Sequence, residues 1–308
     1  MEELIELWEE PKAEEKYMLV GWRQWADAGA ISSNLPQYLI EHIGAKKIGQ
    51  LKPHGFYLFQ LPGAHHFLRP EINLVDGYRQ SLKVKKNDLF YAGNERKGLF
   101  IFLGDEPHLN VERYAETFFD LVETLGVKRV VTVGGVYGAV PYDKERQIST
   151  VFSLPRLKAE LTDYALRFAN YEGGVSIGSY LADQAEQRGL EYIVWYAFVP
   201  AYDFSTLSPN LQGMVVENDF KAWYDLMRRF NHMTGLGLDL SDLARRSDEL
   251  LSVMSEKLDT LERRLPQHSI RDYLAELTAD FVETPFIPLD DVWERELGDL
   301  LEDLDDDE

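Results

Sequence analysis

The sequence contains no cysteine. That absence excludes disulfides, thiolate-bound zinc, iron–sulfur clusters and thiol nucleophiles. It also lacks any apolar run near the roughly 20 residues of a membrane-spanning helix. The opening MEELIELWEE is acidic, unlike the basic start of a secretory signal, so a cytoplasmic protein with no membrane partner is expected by elimination. Basic residues are scarce: 32 Lys and Arg stand against 53 Asp and Glu, a net charge of −21. Such a charge keeps the chain soluble, repels nucleic acid and steers a basic partner surface toward it. No glycine-rich loop ends in Lys-Ser or Lys-Thr, and VTVGGVYG lacks the dinucleotide spacing. No cofactor is expected.

What is present is an alternation of short apolar runs and amphipathic stretches up to about residue 205. YMLVGW reads as a buried strand. The helix after it ends at Gly44, with Pro36 in its first turn and Ser33 or Asn34 as its cap. KKIGQLK and GFYLFQLPG are further strand candidates. The clearest unit starts at Leu99–Leu103, a continuous apolar run of the kind buried on both faces. A helix with Val111, Tyr114, Ala115, Phe118, Val122 and Leu125 on one stripe follows, Gly126 stops it, and KRVVTVGG supplies a second strand. This βαβ pattern predicts parallel strands, and a helix stopped by Gly189 before YIVWYAFVP repeats it. The fold class expected is α/β, three-layered, with a mostly parallel sheet. Residues 1–213 form that core. Residues 214–298 read as a helical appendage docked on it, with helices in NDFKAWYDLMRRFNHM, in SDLARRSDELLSVMSEKLDTLERRL before Pro266, and in SIRDYLAELTADFVE. Residues 299–308 read as an acidic disordered tail.

The stretch GWRQWADAG, where a strand turns into a helix, offers Asp27 either as a cap on helix N–H groups or as a catalytic acid at a strand's carboxyl end. Trp22 and Trp25 read as packing residues or interface anchors in preference to substrate platforms, and both are candidates for an interface. If the strands ending in GDEPH and GGVYGAVPYDKER are neighbours, both loops face one crevice. Its lining is then Asp105, Glu106, His108, Gly134, Gly135, Tyr137, Tyr142 and Arg146, a set able to do acid–base work or to meet a small phosphate through glycine amides. The structural alternative is that these groups close turns and ion pairs. Gly174-x-Ser176-x-Gly178 has the form of a nucleophile elbow, but FANYEG before it is no buried strand, and Ser176 reads better as a helix cap. His65 and His66 point to opposite faces of any strand, and no third ligand stands at a recognisable spacing, so no metal is expected.

Taken together, GW…DAG after the first strand, the strand ending in GDEP, LGVKRVV followed by GG, and YEGG leading to FVPAYDF resemble the proteasome-assembly-chaperone family of the second-subunit type. The resemblance spans about residues 15–205 and extends to the helical appendage of bacterial members. It implies a three-layer α/β/α core similar to nucleoside phosphorylases and hydrolases, and a homo-oligomer, with a trimer favoured. Two features depart from the family. The stretch from Trp22 to Asp27 is longer than the family's short Gly–aromatic–x–Asp–Ala–Gly form. The chain ends in DDDE, where proteasome-binding members end in a hydrophobic residue, a tyrosine and one further residue.

The expectation is therefore a non-catalytic homo-oligomeric scaffold or assembly-chaperone-like binding protein without the proteasome-docking terminus, with a basic protein surface as a possible partner. The alternative is a nucleoside phosphorylase- or hydrolase-like enzyme working in the crevice.

Overall fold

A computed structural model describes residues 4–61, 68–205, 207, 213–264 and 269–287. His65, His66, Pro266 and the acidic residues 299–308 lie outside the described residues. The chain begins with strand β1 (Ile5–Leu7), β2 (Glu15–Arg23), helix α1 (Asn34–His42) and β3 (Lys46–Leu51). A hairpin of β4 (Glu71–Val75) and β5 (Tyr78–Lys83) follows, then β6 (Asp88–Gly93), β7 (Lys97–Asp105), α2 (Val111–Leu125) and β8 (Arg129–Gly138). Next come β9 (Ile148–Phe152), α3 (Leu157–Leu161), β10 (Arg167–Phe168), α4 (Ile177–Arg188), β11 (Tyr192–Tyr202) and β12 (Met214–Val215). Three helices close the described chain: α5 (Phe220–Thr234), α6 (Ser241–Arg264) and α7 (Ile270–Leu277). None of the helices among the described residues is long and apolar enough to cross a membrane.

The principal sheet runs in the order β1-β3-β6-β7-β2-β8-β11-β9-β10, with β12 on β11. Its centre, β7-β2-β8-β11, is parallel throughout. The α/β class and the parallel core are those expected. The margins are antiparallel: β3 and β6 on one side, β9 against β11 on the other. β7 and β8 run in the same sense, as the βαβ pattern requires. They are not neighbours, however, because β2 is wedged between them. The GDEPH and GGVYG loops are therefore separated by the WADAG corner that ends β2.

Strict alternation along the central strands divides the core in two. Met18, Val20, Trp22, Phe100, Phe102 and Val194 face α2 and α4. Leu19, Leu99, Ile101, Val131, Ile193 and Trp195 face α1 and α5, with α6 packed behind. Both α2 and α4 stop where Gly126 (φ 64°) and Gly189 (φ 69°) adopt left-handed backbone, closing N–H···O bonds to the last turn. Pro36 sits in the first turn of α1, where its missing N–H leaves no helix bond unmade. Gly55–Leu61, read as part of a strand, is instead irregular: Phe56 turns into the core and meets Tyr114 edge-on.

Helix α5, the first of the 214–298 segment, packs in the same apolar cluster as the sheet. Its first turn is welded to the core by buried charge. Asp219 caps Ala222 N, and its carboxylate takes Arg146 Nε at 2.9 Å and Nη2 at 3.3 Å. Both side chains are fully buried. Arg146 Nη1 donates to the carbonyls of Tyr142 and Lys144, and Arg146 N donates to Asp225, which Lys221 also contacts at 2.6 Å. Burial pushes the Asp225 carboxyl up and the Arg229 guanidinium down.

Removing one partner strands the other charge in the interior. Arg146→Met is expected to lower unfolding free energy by about 3–5 kcal/mol in urea titrations. Adding Asp219→Asn, which keeps the cap and removes the charge, restores a substantial part of that loss.

Candidate functional site

The WADAG corner is a packed joint. Asp27 Oδ1 accepts from Ser32 N at 2.7 Å and Ser33 N at 3.0 Å, capping the chain as it enters α1. Burial raises its pKa against those two stabilising bonds. The corner then leans on β8: Asp27 bridges Gly135, and Gly135 N donates to Ala26 O at 2.9 Å. A Cβ on Gly135 would stand 2.0 Å from Ala28 O, and one on Gly134 would stand 2.8 Å from the Tyr196 ring. Gly135 serves close approach of two main chains and Gly134 makes room for the Tyr196 ring, so the surroundings of both are protein. Gly29 (φ 64°) turns its carbonyl to α5, accepting from Asp219 N at 3.0 Å and Trp223 Nε1 at 2.9 Å.

The two tryptophans part company. Trp22 is wholly buried, edge-on to Phe102, with its indole N–H on Tyr114 OH at 2.9 Å. It shares the parity of Met18 and Val20, so strand alternation sends it into the core, and it cannot anchor an interface. Trp25, beyond the strand, is 76% exposed.

The polar loop residues are each engaged. Asp105 is buried, accepts Lys85 Nζ and Lys86 N at 3.0 Å each, and lies 3.8 Å from Arg23. Glu106 accepts from Ile177 N at 3.2 Å, the start of α4, and from Trp25 N at 3.4 Å. His108 Nδ1 accepts from Leu58 N at 3.2 Å, and its ring meets Tyr57 edge-on. Arg146 and Tyr142 lie toward the α5 side of the sheet, away from Glu106 and Tyr137. The structure thus gathers Asp27, Gly134, Gly135, Glu106 and Tyr137 at one end of the parallel strands, holds Asp105 and His108 beside them, and directs Arg146 and Tyr142 elsewhere. No cluster of three or more metal-ligating side chains occurs among the described residues.

The concavity at this end is a cavity of about 460 Å³ between the carboxyl end of β8, the middle of β11, strands β9 and β10, and the start of α4. Its walls are aromatic: Trp25, Tyr137, Phe168, Tyr171, Tyr196 and Phe198. Tyr196 and Phe198 were not foreseen as site residues, yet their i, i+2 spacing in WYAF places both on the cavity side of β11. On the cavity floor the hydroxyls of Ser176 and Tyr196 share a hydrogen bond, and Ser179 Oγ lies 3.0 Å from the Tyr196 hydroxyl. Ser176 Oγ also accepts from Ser179 N, so it caps α4, as expected from the residues before it. Burial raises the Tyr196 pKa and keeps the phenol neutral. The only charged side chain among the described lining residues is Arg167, whose guanidinium is bonded to Gln147 Oε1.

The model of the PAC2 family matches residues 22–258. The chain belongs to the PAC2 family. No curated protein matches it. Among solved structures, a Mycobacterium tuberculosis proteasome-assembly chaperone homologue is 19% identical with a TM-score of 0.65, covering 78% of this chain and 94% of its own. A PAC2 family protein from Streptomyces avermitilis is 21% identical with a TM-score of 0.65, covering 80% and 97%. An archaeal homologue of proteasome-assembly chaperone from Pyrococcus furiosus is 15% identical with a TM-score of 0.52, covering 86% and 97%. At such identities the likeness is one of fold. In this PAC2 chain the corner, the two glycines and the aromatic cavity are parts of one construction.

His108 provides a pH signature of that construction. Burial, assisted by Lys85, holds its pKa below the ordinary 6.5, so the folded chain keeps a neutral, accepting ring. Well above pH 6.5 the residue is neutral in both states and adds no pH dependence. As pH falls through 6.5 the unfolded chain takes up the proton first, and stability declines until the folded pKa is passed. Chemical denaturation across that range should show this slope in the wild type and a flatter one in His108→Gln.

Proposed function

We propose that this PAC2 chain is a non-catalytic, homo-oligomeric binding protein of assembly-chaperone type, and that its aromatic cavity receives an apolar segment of a protein. The observation that carries this reading is the division of labour at the carboxyl ends of the strands. Asp105, Glu106, His108 and Asp27 spend their hydrogen-bonding capacity on main-chain amides and lysines, while the open space beside them is lined by aromatic rings. Exposed aromatic rings with polar tips are typical anchors of protein recognition. The descriptions of the Mycobacterium and Pyrococcus proteins as proteasome-assembly chaperone homologues support the same class.

The enzymatic alternative uses the same cavity. A phosphorylase needs a cationic or amide-lined cradle for its anion, and Arg167, already bonded to Gln147, is the only candidate cation on the described walls. A hydrolase needs an activated nucleophile, and Ser176 is engaged by Tyr196 and by its own helix.

A capped Leu-Tyr-Leu peptide titrated into the dilute chain, with excitation selective for tryptophan, should change the emission of the wild type and not that of Trp25→Phe. Ribonucleosides with inorganic phosphate should leave the thermal midpoint unmoved. A midpoint raised by nucleoside and phosphate, with no response to the peptide, would favour the enzyme and overturn the binding reading.

A further inference from the structure

The floor of the aromatic cavity holds three hydroxyls whose protons can be counted. Ser176, Ser179 and Tyr196 each own one O–H donor. Both serine hydroxyls meet the Tyr196 hydroxyl, which makes two contacts for three protons. Ser176 Oγ also accepts from Ser179 N, and that bond spends an acceptor, not a proton. Whichever way the hydroxyls rotate, one proton is left without an acceptor among the described residues. The cluster lies at the foot of walls built by Trp25, Tyr137, Phe168 and Tyr171. The missing oxygen therefore comes from water or from the tip of an occupant.

Glu106 decides which kind of oxygen suits the floor. Its carboxylate, held by the amides of Trp25 and Ile177, puts negative potential on the Tyr196 hydroxyl. A second carboxylate there is repelled, whereas a phenol accepts the spare proton and stays neutral. The charge of the cavity stands elsewhere. Arg167 bonds the neutral Gln147 and pairs with no carboxylate among the described residues, so its positive charge is uncompensated. Strand register gives its place: Tyr196 on β11 is level with Ser149 on β9, and Ser149 is level with Arg167 on β10. Tyr196 and Arg167 thus share one row across the sheet, two strand spacings or roughly 10 Å apart. One small group cannot serve both. Two side chains of an extended segment can, because residues i and i+2 share a face about 7 Å apart.

We infer that the cavity selects a protein segment in which a tyrosine stands two positions from an Asp or Glu, the phenol oxygen accepting from the Ser176–Tyr196–Ser179 cluster and the carboxylate meeting Arg167. This rests on the binding reading above and states what the occupant presents. The tyrosine ring lies among the aromatic walls, where ring contacts add to burial. Its hydroxyl supplies the selectivity, since a phenylalanine in its place leaves a donor unpaired in a largely apolar site. The net charge of −21 acts weakly on the acidic residue at physiological salt, where charges beyond about 8 Å are screened. Ser176, which has the sequence form of a nucleophile, here reads a phenol instead.

Calorimetric titration of capped peptides into the full chain at physiological salt tests the two contacts separately. Glu-Ala-Tyr-Ala-Glu carries an acidic residue two positions to either side of its tyrosine, so it suits both chain directions. It should bind the wild type about fivefold more tightly than Glu-Ala-Phe-Ala-Glu and about threefold more tightly than Gln-Ala-Tyr-Ala-Gln. Arg167→Gln should abolish the glutamate preference and keep the tyrosine preference. Tyr196→Phe, which breaks up the hydroxyl cluster, should do the reverse. Equal binding of the tyrosine and phenylalanine peptides by the wild type overturns the inference, whether or not Tyr196→Phe folds. So does a glutamate preference that survives Arg167→Gln, or a tyrosine preference of unchanged size in Tyr196→Phe. In those cases a capped Leu-Tyr-Leu that still changes the tryptophan emission leaves the binding reading standing; binding of no peptide removes that reading too.

Discussion

The buried pair of Arg146 and Asp219 is the interaction on which the rest of the structure depends. Two full charges are taken out of water, and the geometry compensates by using nearly every donor and acceptor they own. Because Asp219 also caps α5 and donates its N–H to Gly29 O, a single residue joins the helical layer, the β8–β9 loop and the corner after β2. The corner is in turn pressed onto Gly135. Trp25 projects from that corner into solvent because the residues on both sides of it are held. An exposed aromatic wall of the cavity thus rests on a wholly buried ion pair, through a chain of hydrogen bonds.

Residues that look catalytic in a sequence can be spent on architecture. Asp27, Glu106 and Ser176 all act at helix starts, where free N–H groups call for oxygen acceptors. Asp105 and His108 secure the loops that cross the ends of the strands. An acidic chain with paired carboxylates near a histidine therefore need not be an enzyme; the deciding fact is what each carboxylate touches. Here the open cavity wall is largely aromatic, and its one charged lining residue among those described, Arg167, is bonded to Gln147.

Much of the fold was legible. Leu99–Leu103 and the run from Tyr192 are apolar without interruption because both faces of the central strands are covered. Gly44, Gly126 and Gly189 marked helix ends because all three adopt left-handed backbone there. Trp22 could have been placed by counting parity from Met18. The hairpin was missed although Val-Asp-Gly-Tyr carries the turn signal; its strands mix polar and apolar residues on both faces, which is the pattern of an element lying outside the core. The order β7-β2-β8 was hidden because strand neighbours are fixed by contacts between segments roughly 80–110 residues apart. The cavity was invisible for the same reason, its aromatics coming from Trp25, Tyr137, Tyr171 and Tyr196 in four separate stretches.

The central claim is that the aromatic cavity is a protein-recognition surface, and amide hydrogen exchange on the full chain, with and without the capped Leu-Tyr-Leu peptide, tests it most directly. The account predicts that the peptide slows the amides of residues 167–176, which line the cavity, while those of residues 104–108, already bonded within the core, stay the same. Exchange in residues 167–176 that the peptide leaves unchanged, or slowing confined to another face of the molecule, would contradict it.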